Sequence, residues 1–281
     1  DKPALGEQRV AVILIDFIAD GKAQSADELR QTLFEAELSV GRYFEEASYG
    51  RTRLRGEVFG WYSLAGTVPH CQRTREELIA LAAADVPSFL DYDRFLLLYR
   101  APSTGCEDYG LGESTHGKEP VQTPDGLVQA SVSRIEIEYP LSRPMLPHQN
   151  LALVTATVVA HELGHGLGIT GHANLLDCGA STVSTAPGAC HQEAIADMFS
   201  VMAGEGYRRS ALHVGACHKE DLGWFAGNEL VTIDPSKLGG TSATVRLDPY
   251  ELPRTAGALA VRIPLATPIP VTSGVAISTA S

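Results

Sequence analysis

The chain has 281 residues, 44% of them hydrophobic, and a formal net charge of −12 at pH 7. A surface of this charge disfavours nucleic acid as a partner, because the phosphate backbone would be repelled. No segment approaches the about 18 consecutive apolar residues of a membrane-spanning helix, so we expect no membrane span. The length allows one large domain or two modest ones, and it leaves the oligomeric state open. The opening residues Asp1-Lys2-Pro3 indicate a trimmed start, so that any signal peptide or propeptide would belong to a precursor.

Short apolar or alternating runs predict strands at residues 9–17, 52–64, 93–100 and 128–138. The last run alternates as a half-buried strand does, and we expect it at an edge of the sheet beside a cleft. Gly56 and Gly60 in the second strand are candidate bulges. Residues 101–124 are rich in glycine and polar residues, which predicts a long surface loop.

Two helices begin with capping boxes, in which a Ser or Thr is followed three residues later by Glu. The first is predicted from Ser25 to about Ala47, with Leu38 among the residues of its inner stripe. The second runs from Thr74 to about Ala84.

A helix of mainly small and apolar residues is predicted to begin near Asn150. An irregular stretch to about residue 190 follows it, then a short helix followed by a tight turn at residues 192–203, and a short helix at residues 216–225. From Leu230 onward, short runs separated by Pro and Gly predict a β-rich segment.

The most informative stretch is HELGHGLGITGH, residues 161–172. His161 and His165 are four residues apart, so a helix places both imidazoles on one face. Neutral imidazole binds zinc at about 2.0–2.1 Å, and a catalytic zinc commonly takes three protein ligands and one water. Glu162 directly follows the first histidine, where its carboxylate can reach that water as a general base. Gly168 can end the helix by adopting a positive φ, and His172 then follows as the third ligand.

A pair of ordinary core histidines is the alternative to a metal site. Residues 151–160 are almost wholly apolar, so two histidines and a glutamate would be costly to bury in this helix without a metal or other partners. For the third ligand, Asp177, Glu193 and Asp197 stay open beside His172, because an oxygen ligand also satisfies zinc.

Five cysteines occur, at Cys71, Cys106, Cys178, Cys190 and Cys217. None belongs to a C-x-x-C pair, so a zinc knuckle is disfavoured and disulfides in an oxidising compartment fit the wide spacing better. His191 and His218 stand beside two of the cysteines, which leaves a second metal site as an alternative.

Taken together, these segments resemble the gametolysin family of secreted zinc metallopeptidases and, more distantly, the immune inhibitor A type. The resemblance covers most of residues 8–265. It is carried by the opening strand, by SYGRTRLRGEVFGWY, by HELGHGLG followed by HANLLDCGA, by DMFSVM at residues 197–202 and by LGWF at residues 222–225.

The resemblance implies an α+β fold of the zincin, metzincin-like kind. In that fold a mixed five-stranded sheet lies above the cleft, its edge strand binds substrate as an added strand, and the metal-binding helix lies below. The catalytic domain would span residues 1–228, with an N-terminal subdomain to about residue 172 and a C-terminal subdomain at 173–228. Residues 229–281 would be a β-rich segment, interpretable as an incomplete β-sandwich module.

The resemblance also assigns individual residues. Met202 would form the Met-turn, a tight turn that packs under the metal ligands without binding the metal. Disulfides Cys71–Cys106 and Cys178–Cys190 are expected, partly from sequence order, and they leave Cys217 free; other pairings of the last three cysteines stay open. Calcium is compatible with the resemblance, although no residue in the sequence indicates a site.

The chain departs from the family at two points. Six residues, Gly166 to Gly171, separate His165 from His172, one more than is usual in the family, and Gly171 can absorb the extra residue as a bulge. Several metzincins have a tyrosine two residues after the Met-turn methionine, but this chain has Gly204 there. The nearest tyrosine, Tyr207, is assigned no role.

The leading hypothesis is a secreted zinc endopeptidase that cleaves protein or peptide substrates with a zinc-bound water activated by Glu162. A second hypothesis is a non-catalytic binding module on a zincin scaffold, which would have no use for the Glu162 carboxylate. A third is a zinc hydrolase of a non-peptide substrate, against which the predicted edge strand favours a peptide.

Overall fold

The computed structural model describes residues 4–18, 24–64, 66, 69–100, 112–137, 151–181, 184, 186, 188–193, 197, 199–203, 212–252, 255–264 and 271–273. Helices and strands are numbered below in chain order within these residues.

Six strands form the central sheet: β1 (Gly6–Asp16), β2 (Thr52–Ser63), β3 (Arg94–Arg100), β4 (Gly112–Ser114), β5 (Glu119–Thr123) and β6 (Gly126–Glu136). Their order is β2-β1-β3-β6, with both β4 and β5 on the outer side of β6. Strands β2, β1, β3 and β6 run parallel to one another, whereas β4 and β5 are antiparallel to β6. The predicted α+β class with a mixed sheet is therefore confirmed. The sheet has six strands and not five, because two short strands share one edge.

The edge of the sheet lies elsewhere than predicted. β6 is an interior strand, since it pairs with β3 on one side and with β4 and β5 on the other. The prediction of a surface loop at residues 101–124 is wrong for residues 112–114 and 119–123, which form β4 and β5. Three and five residues are too short for a strand-like alternation to stand out. Residues 101–111 lie outside the described part of the chain.

The first predicted helix is interrupted. Ser25 caps α1 (Ala26–Arg30) with the expected capping box, and a π-helical turn continues it over Gln31–Glu35. A second N-cap, Ser39, then opens α2 (Val40–Ala47). Leu38 lies in the break between them and is 92% exposed, so its assignment to the inner stripe is wrong.

Apolar side chains cover both faces of the sheet. One face packs against α2 and α4 (Leu151–Leu167), the other against α3 (Arg75–Ala80). Of the two candidate bulges, Gly60 is at one: it has φ +91°, and the β1–β2 register shifts beside it. Gly56 stays in register, but its Cβ would lie 2.3 Å from the Phe34 ring, so glycine is needed there for close packing.

α4 is anchored to the sheet at its C-terminal end. Gly168 adopts φ +122°, and the amides of Gly168 and Ile169 bond back to the last helical turn, as in a Schellman cap. The fully buried Arg94 guanidinium of β3 donates to the Gly166 carbonyl and, at 2.9 Å, to the hydroxyl of Ser131. Because the sheet and the helix share this guanidinium, the helix end is held at a fixed height below β6.

The later part of the chain is built from short elements: β7 (Leu175–Asp177), β8 (Cys190–Glu193), α5 (Ala216–Asp221), β9 (Leu230–Thr232), β10 (Ala260–Arg262) and β11 (Val271–Ser273). In the described part of residues 192–203 the predicted short helix is absent, because Gln192 and Glu193 belong to β8, whereas the tight turn predicted to follow it agrees with the turns at residues 199–203. β8 pairs with both β7 and β11, so its residues are committed to a small sheet. The helix predicted over residues 216–225 is present as α5.

The segment after residue 228 contacts the preceding residues closely. β9 and β10 pair in parallel, and Arg262 forms an ion pair with Glu220 of α5. The buried Lys219 Nζ donates to the hydroxyl of Tyr49 and to the carbonyl of Tyr250, at 2.7 and 2.9 Å. The domain boundary at residue 228 stays a prediction. In the part of the chain described above, no helix is both long and apolar enough to cross a membrane.

Candidate metal centre

Three histidines converge on one point below the sheet. His161 and His165 lie on successive turns of α4, and His172 reaches them from the loop beyond the helix cap. One ring nitrogen from each lies within 4.8 Å of the others, close enough for a single ion to reach all three. The ring centroids are 4.9 to 5.2 Å apart.

Two of the imidazoles are held by backbone carbonyls. Nδ1 of His161 lies 2.8 Å from the Val201 carbonyl oxygen, and Nδ1 of His165 lies 2.8 Å from that of Ile169. A carbonyl oxygen only accepts hydrogen bonds, so each Nδ1 carries the proton and each Nε2 presents a lone pair. This tautomer is the one in which Nε2 binds a metal, and such outer contacts orient metal-binding histidines.

Burial keeps these histidines neutral. It lowers the pKa of His161 to about 4 and that of His165 to about 3, and it also lowers the pKa of His172. Neutral imidazole is the form that binds zinc, so the donor set, its tautomers and its protonation state all fit a zinc ion.

Glu162 directly follows His161 on α4, and its side chain contacts β4 of the sheet. Its Oε2 accepts a hydrogen bond of 2.8 Å from the Ser114 hydroxyl on β4. The pKa of the Glu162 carboxyl is raised to about 7: burial is the main cause, the Ser114 hydrogen bond partly offsets it, and nearby Glu113 adds a smaller increase. A carboxyl group with a pKa near neutrality can both take up and release a proton at physiological pH.

The edge strand approaches Glu162 too closely for an ordinary side chain. A Cβ on Gly112 would lie 2.6 Å from Oε1 of Glu162 and 2.7 Å from its Cδ. Glycine at this position of β4 therefore leaves the space in which the carboxylate sits.

A turn at residues 199–203 packs beneath the histidines. Met202 is fully buried, and its Sδ would lie 2.6 Å from a Cβ on Gly164 of α4. The preceding residue, Val201, supplies the carbonyl that holds His161, and the Met202 carbonyl accepts from the amide of Ala173, beside His172. The turn thus contacts both the helix and the loop that carry the three histidines.

The rival third ligands take no part in the cluster. Asp177 caps its own turn by accepting from the amide of Gly179, and Asp197 does the same with the amide of Phe199. Glu193 is exposed at the end of β8. Within the described ranges, His161, His165 and His172 are the one group of three or more potential ligands, so neither His191 nor His218 takes part in a second cluster.

Gly171 was predicted to absorb the extra residue before His172 as a bulge, but nothing in its conformation or surroundings requires a glycine. Gly171 lacks a positive φ, and a Cβ there would meet no atom within 4 Å. The reversal after the helix is made at Gly168 instead. Gly204 and Tyr207 lie outside the described residues.

Three residues near the centre were not foreseen. They are Gly112 and Ser114 on β4 and His116 in the β4–β5 connection, all in a stretch predicted to be a loop. The exposed His116 ring lies 5.2 Å from that of His165, and the amide of Gly117 donates to the His165 carbonyl. The antiparallel pairing of β4 with β6 places residues 112–116 over α4, and this pairing was not predicted from the sequence.

One predicted disulfide is confirmed: Cys178 and Cys190 are bonded, with their Cα atoms 4.0 Å apart at the base of the β7–β8 pair. Cys71 is also disulfide-bonded, and its predicted partner Cys106 lies outside the described residues. Cys217 is a free, exposed thiol, as predicted.

In comparisons with known proteins, no family model and no curated protein matches the chain.

Proposed function

We propose that the protein is a zinc endopeptidase. The observation that carries the proposal is that Glu162 directly follows His161 on α4, while the ring nitrogens of His161, His165 and His172 converge within 4.8 Å and burial lowers the pKa of each. A site for structural zinc needs ligands only, whereas this one also holds a carboxyl group with a pKa of about 7.

His161, His165 and His172 would hold the zinc ion, through Nε2 in the first two. Bound zinc supplies a Lewis acid that polarises the scissile carbonyl and makes a water more acidic. Glu162 takes the proton from the attacking water and passes it to the leaving amine, so one carboxyl group acts first as base and then as acid. Its raised pKa suits both steps near neutral pH.

A peptide substrate fits the sheet edge beside Glu162. In the described chain, no strand pairs with the outer side of β4, so its backbone amides and carbonyls can pair with an added strand. Such pairing holds an extended peptide mainly by its main chain. The scissile bond would then run past Ser114 and Glu162, which lie side by side.

The family resemblance belongs to the same proposal. A metzincin-like catalytic domain of the gametolysin kind accounts for the helix, the sheet edge and the buried Met202 turn together. Secretion into an oxidising compartment accounts for the disulfide at Cys178–Cys190.

The test is digestion of casein and gelatin by the purified protein, with and without a chelator and after zinc is restored. We expect cleavage that the chelator abolishes and zinc recovers. Tight zinc binding without cleavage of any protein or peptide would favour a binding module. Chelator-sensitive hydrolysis of ester or amide model substrates alone would favour a non-peptide hydrolase.

A further inference from the structure

We propose that Ser114 is a positioning residue that holds Glu162 in the orientation needed for proton transfer. The inference deepens the proposed function and rests on it. Ser114 lies on β4, 48 residues before Glu162, and its hydroxyl lies 2.8 Å from Oε2. The contact therefore links two parts of the proposed site. One is the sheet edge, along which the peptide would bind, and the other is Glu162, which would move the proton.

The hydroxyl of Ser114 is itself oriented. Its Oγ lies 2.8 Å from Oγ of Ser133, the residue directly opposite it on β6. Ser114 has one hydroxyl proton, and an ionised Glu162 can only accept, so Ser133 donates to Ser114 and Ser114 donates to Glu162. Ser133 is buried, and of the two acceptors near its Oγ, Ser114 Oγ at 2.8 Å is closer than the Glu162 carbonyl oxygen at 3.5 Å.

The other side of the carboxylate is confined by Gly112. A Cβ added to Gly112 would lie 2.6 Å from Oε1, so the Gly112 backbone is close to this oxygen. The carboxylate is therefore held between Gly112 and Ser114. With Oε2 bonded to Ser114 and Oε1 against Gly112, both oxygens of the carboxylate contact β4. Removal of the hydroxyl would free the side chain to rotate without altering any of the three histidines.

The kinetic consequence is specific. Glu162 acts in the chemical step, and the side chain of Ser114 is not part of the backbone pairing with the peptide. Loss of Ser114 should therefore lower kcat and leave KM nearly unchanged. Loss of such an orienting contact typically costs about 10- to 100-fold.

The first test compares Ser114→Ala, Ser114→Thr and the parent as zinc-loaded enzymes on one fluorogenic peptide. We expect Ser114→Ala to lower kcat about 10- to 100-fold with KM within about twofold, and Ser114→Thr, which keeps the hydroxyl, to recover most of the loss. Bound zinc should stay at one per chain in all three. Gly112→Ala is a second variant, whose methyl group should displace the Glu162 carboxylate and lower kcat in the same way.

Ser39→Ala is the matched control. It removes another buried serine hydroxyl that bonds within the fold, here to the Arg42 amide as the cap of α2. It should lower Tm without changing kcat. An unchanged kcat in Ser114→Ala, a loss explained by missing zinc or raised KM, or a folded Ser114→Thr no better than Ser114→Ala would overturn the inference.

A second readout uses neither activity nor metal. In the chelator-treated protein, the denaturation midpoints of Ser114→Ala, Glu162→Ala and the double variant should be non-additive, because each single change breaks the same contact. Additive midpoints would overturn the contact. If the parent cleaves no peptide and the midpoints are still non-additive, the proposed function fails and the Ser114–Glu162 contact stands.

Discussion

Gly164 of α4 packs directly against the sulfur of Met202: a Cβ on Gly164 would lie 2.6 Å from Sδ and 3.3 Å from Cε. Gly164 sits between His161 and His165, and Val201, the neighbour of Met202, holds the ring of His161. The turn that holds the His161 ring therefore packs on α4 through a contact that leaves no space for a methyl group. Met202 supports the centre by packing under it.

We expect Gly164→Ala to lower the free energy of unfolding by about 1–3 kcal/mol, the usual cost of overfilling a packed site. Zinc affinity should fall with it, because the Met202 side chain that must shift belongs to the turn whose Val201 carbonyl holds His161. Denaturant unfolding and a competitive zinc titration measure the two effects. Gly171→Ala is the control, since a Cβ there meets no atom within 4 Å. Equal stability of the two variants would contradict this account of Met202.

Glu162→Gln should lower kcat by about 10²–10⁴, because glutamine keeps the size of the side chain and removes its basicity. Zinc content should stay that of the parent, since Glu162 is not a ligand in the proposed site. Peptide cleavage with parallel metal analysis checks both. Ordinary peptidase activity in this variant would show that another group takes the proton.

His172→Ala should weaken zinc binding sharply, because it removes one of the three converging imidazoles. Asp177→Ala is the matched comparison, since Asp177 caps its own turn through the amide of Gly179. It should keep full zinc stoichiometry. Zinc retained after His172→Ala and lost after Asp177→Ala would place the third ligand at the carboxylate.

The sequence was sufficient where the site is local. Four-residue spacing brings His161 and His165 to one helix face, and Gly168 was foreseen as the residue that ends the helix. The capping boxes at Ser25 and Thr74 were also recognisable, because each depends on two residues one turn apart.

The predictions failed where a contact joins residues distant in sequence, or where a local break interrupts a helix. Ser114 meets Glu162 only because β4 pairs with β6, and three residues carry too little pattern to reveal that pairing. Val201 holds His161 across 40 residues through a carbonyl, a group that every residue type carries. Leu38 fitted a helical stripe, but the break before Ser39 turned it to solvent.

The titratable groups at the centre make the stability of the metal-free protein depend on pH, and His172, whose pKa burial also lowers, acts in the same direction as His161 and His165. Burial lowers the pKa of His161 to about 4 and of His165 to about 3, from an unfolded value of 6.5. Below pH 6.5 the unfolded chain binds protons that the folded chain does not, so the folded state loses stability as the pH falls towards those values.

Glu162 acts in the opposite direction. Its folded pKa of about 7 lies above the unfolded value of 4.5, so between these values the folded chain holds the extra proton and is stabilised by acidification. Each proton difference changes the unfolding free energy by about 1.4 kcal/mol per pH unit. Two histidines outweigh one carboxyl, and these groups together should make the metal-free protein less stable as the pH falls from 6.5 to 4.5. Glu162→Gln removes the opposing contribution, so its stability should fall more steeply than that of the parent. Denaturant unfolding of both chelator-treated proteins at several pH values gives this difference in slope, and the comparison cancels the carboxylates they share. Equal slopes would mean that Glu162 titrates normally in the folded protein.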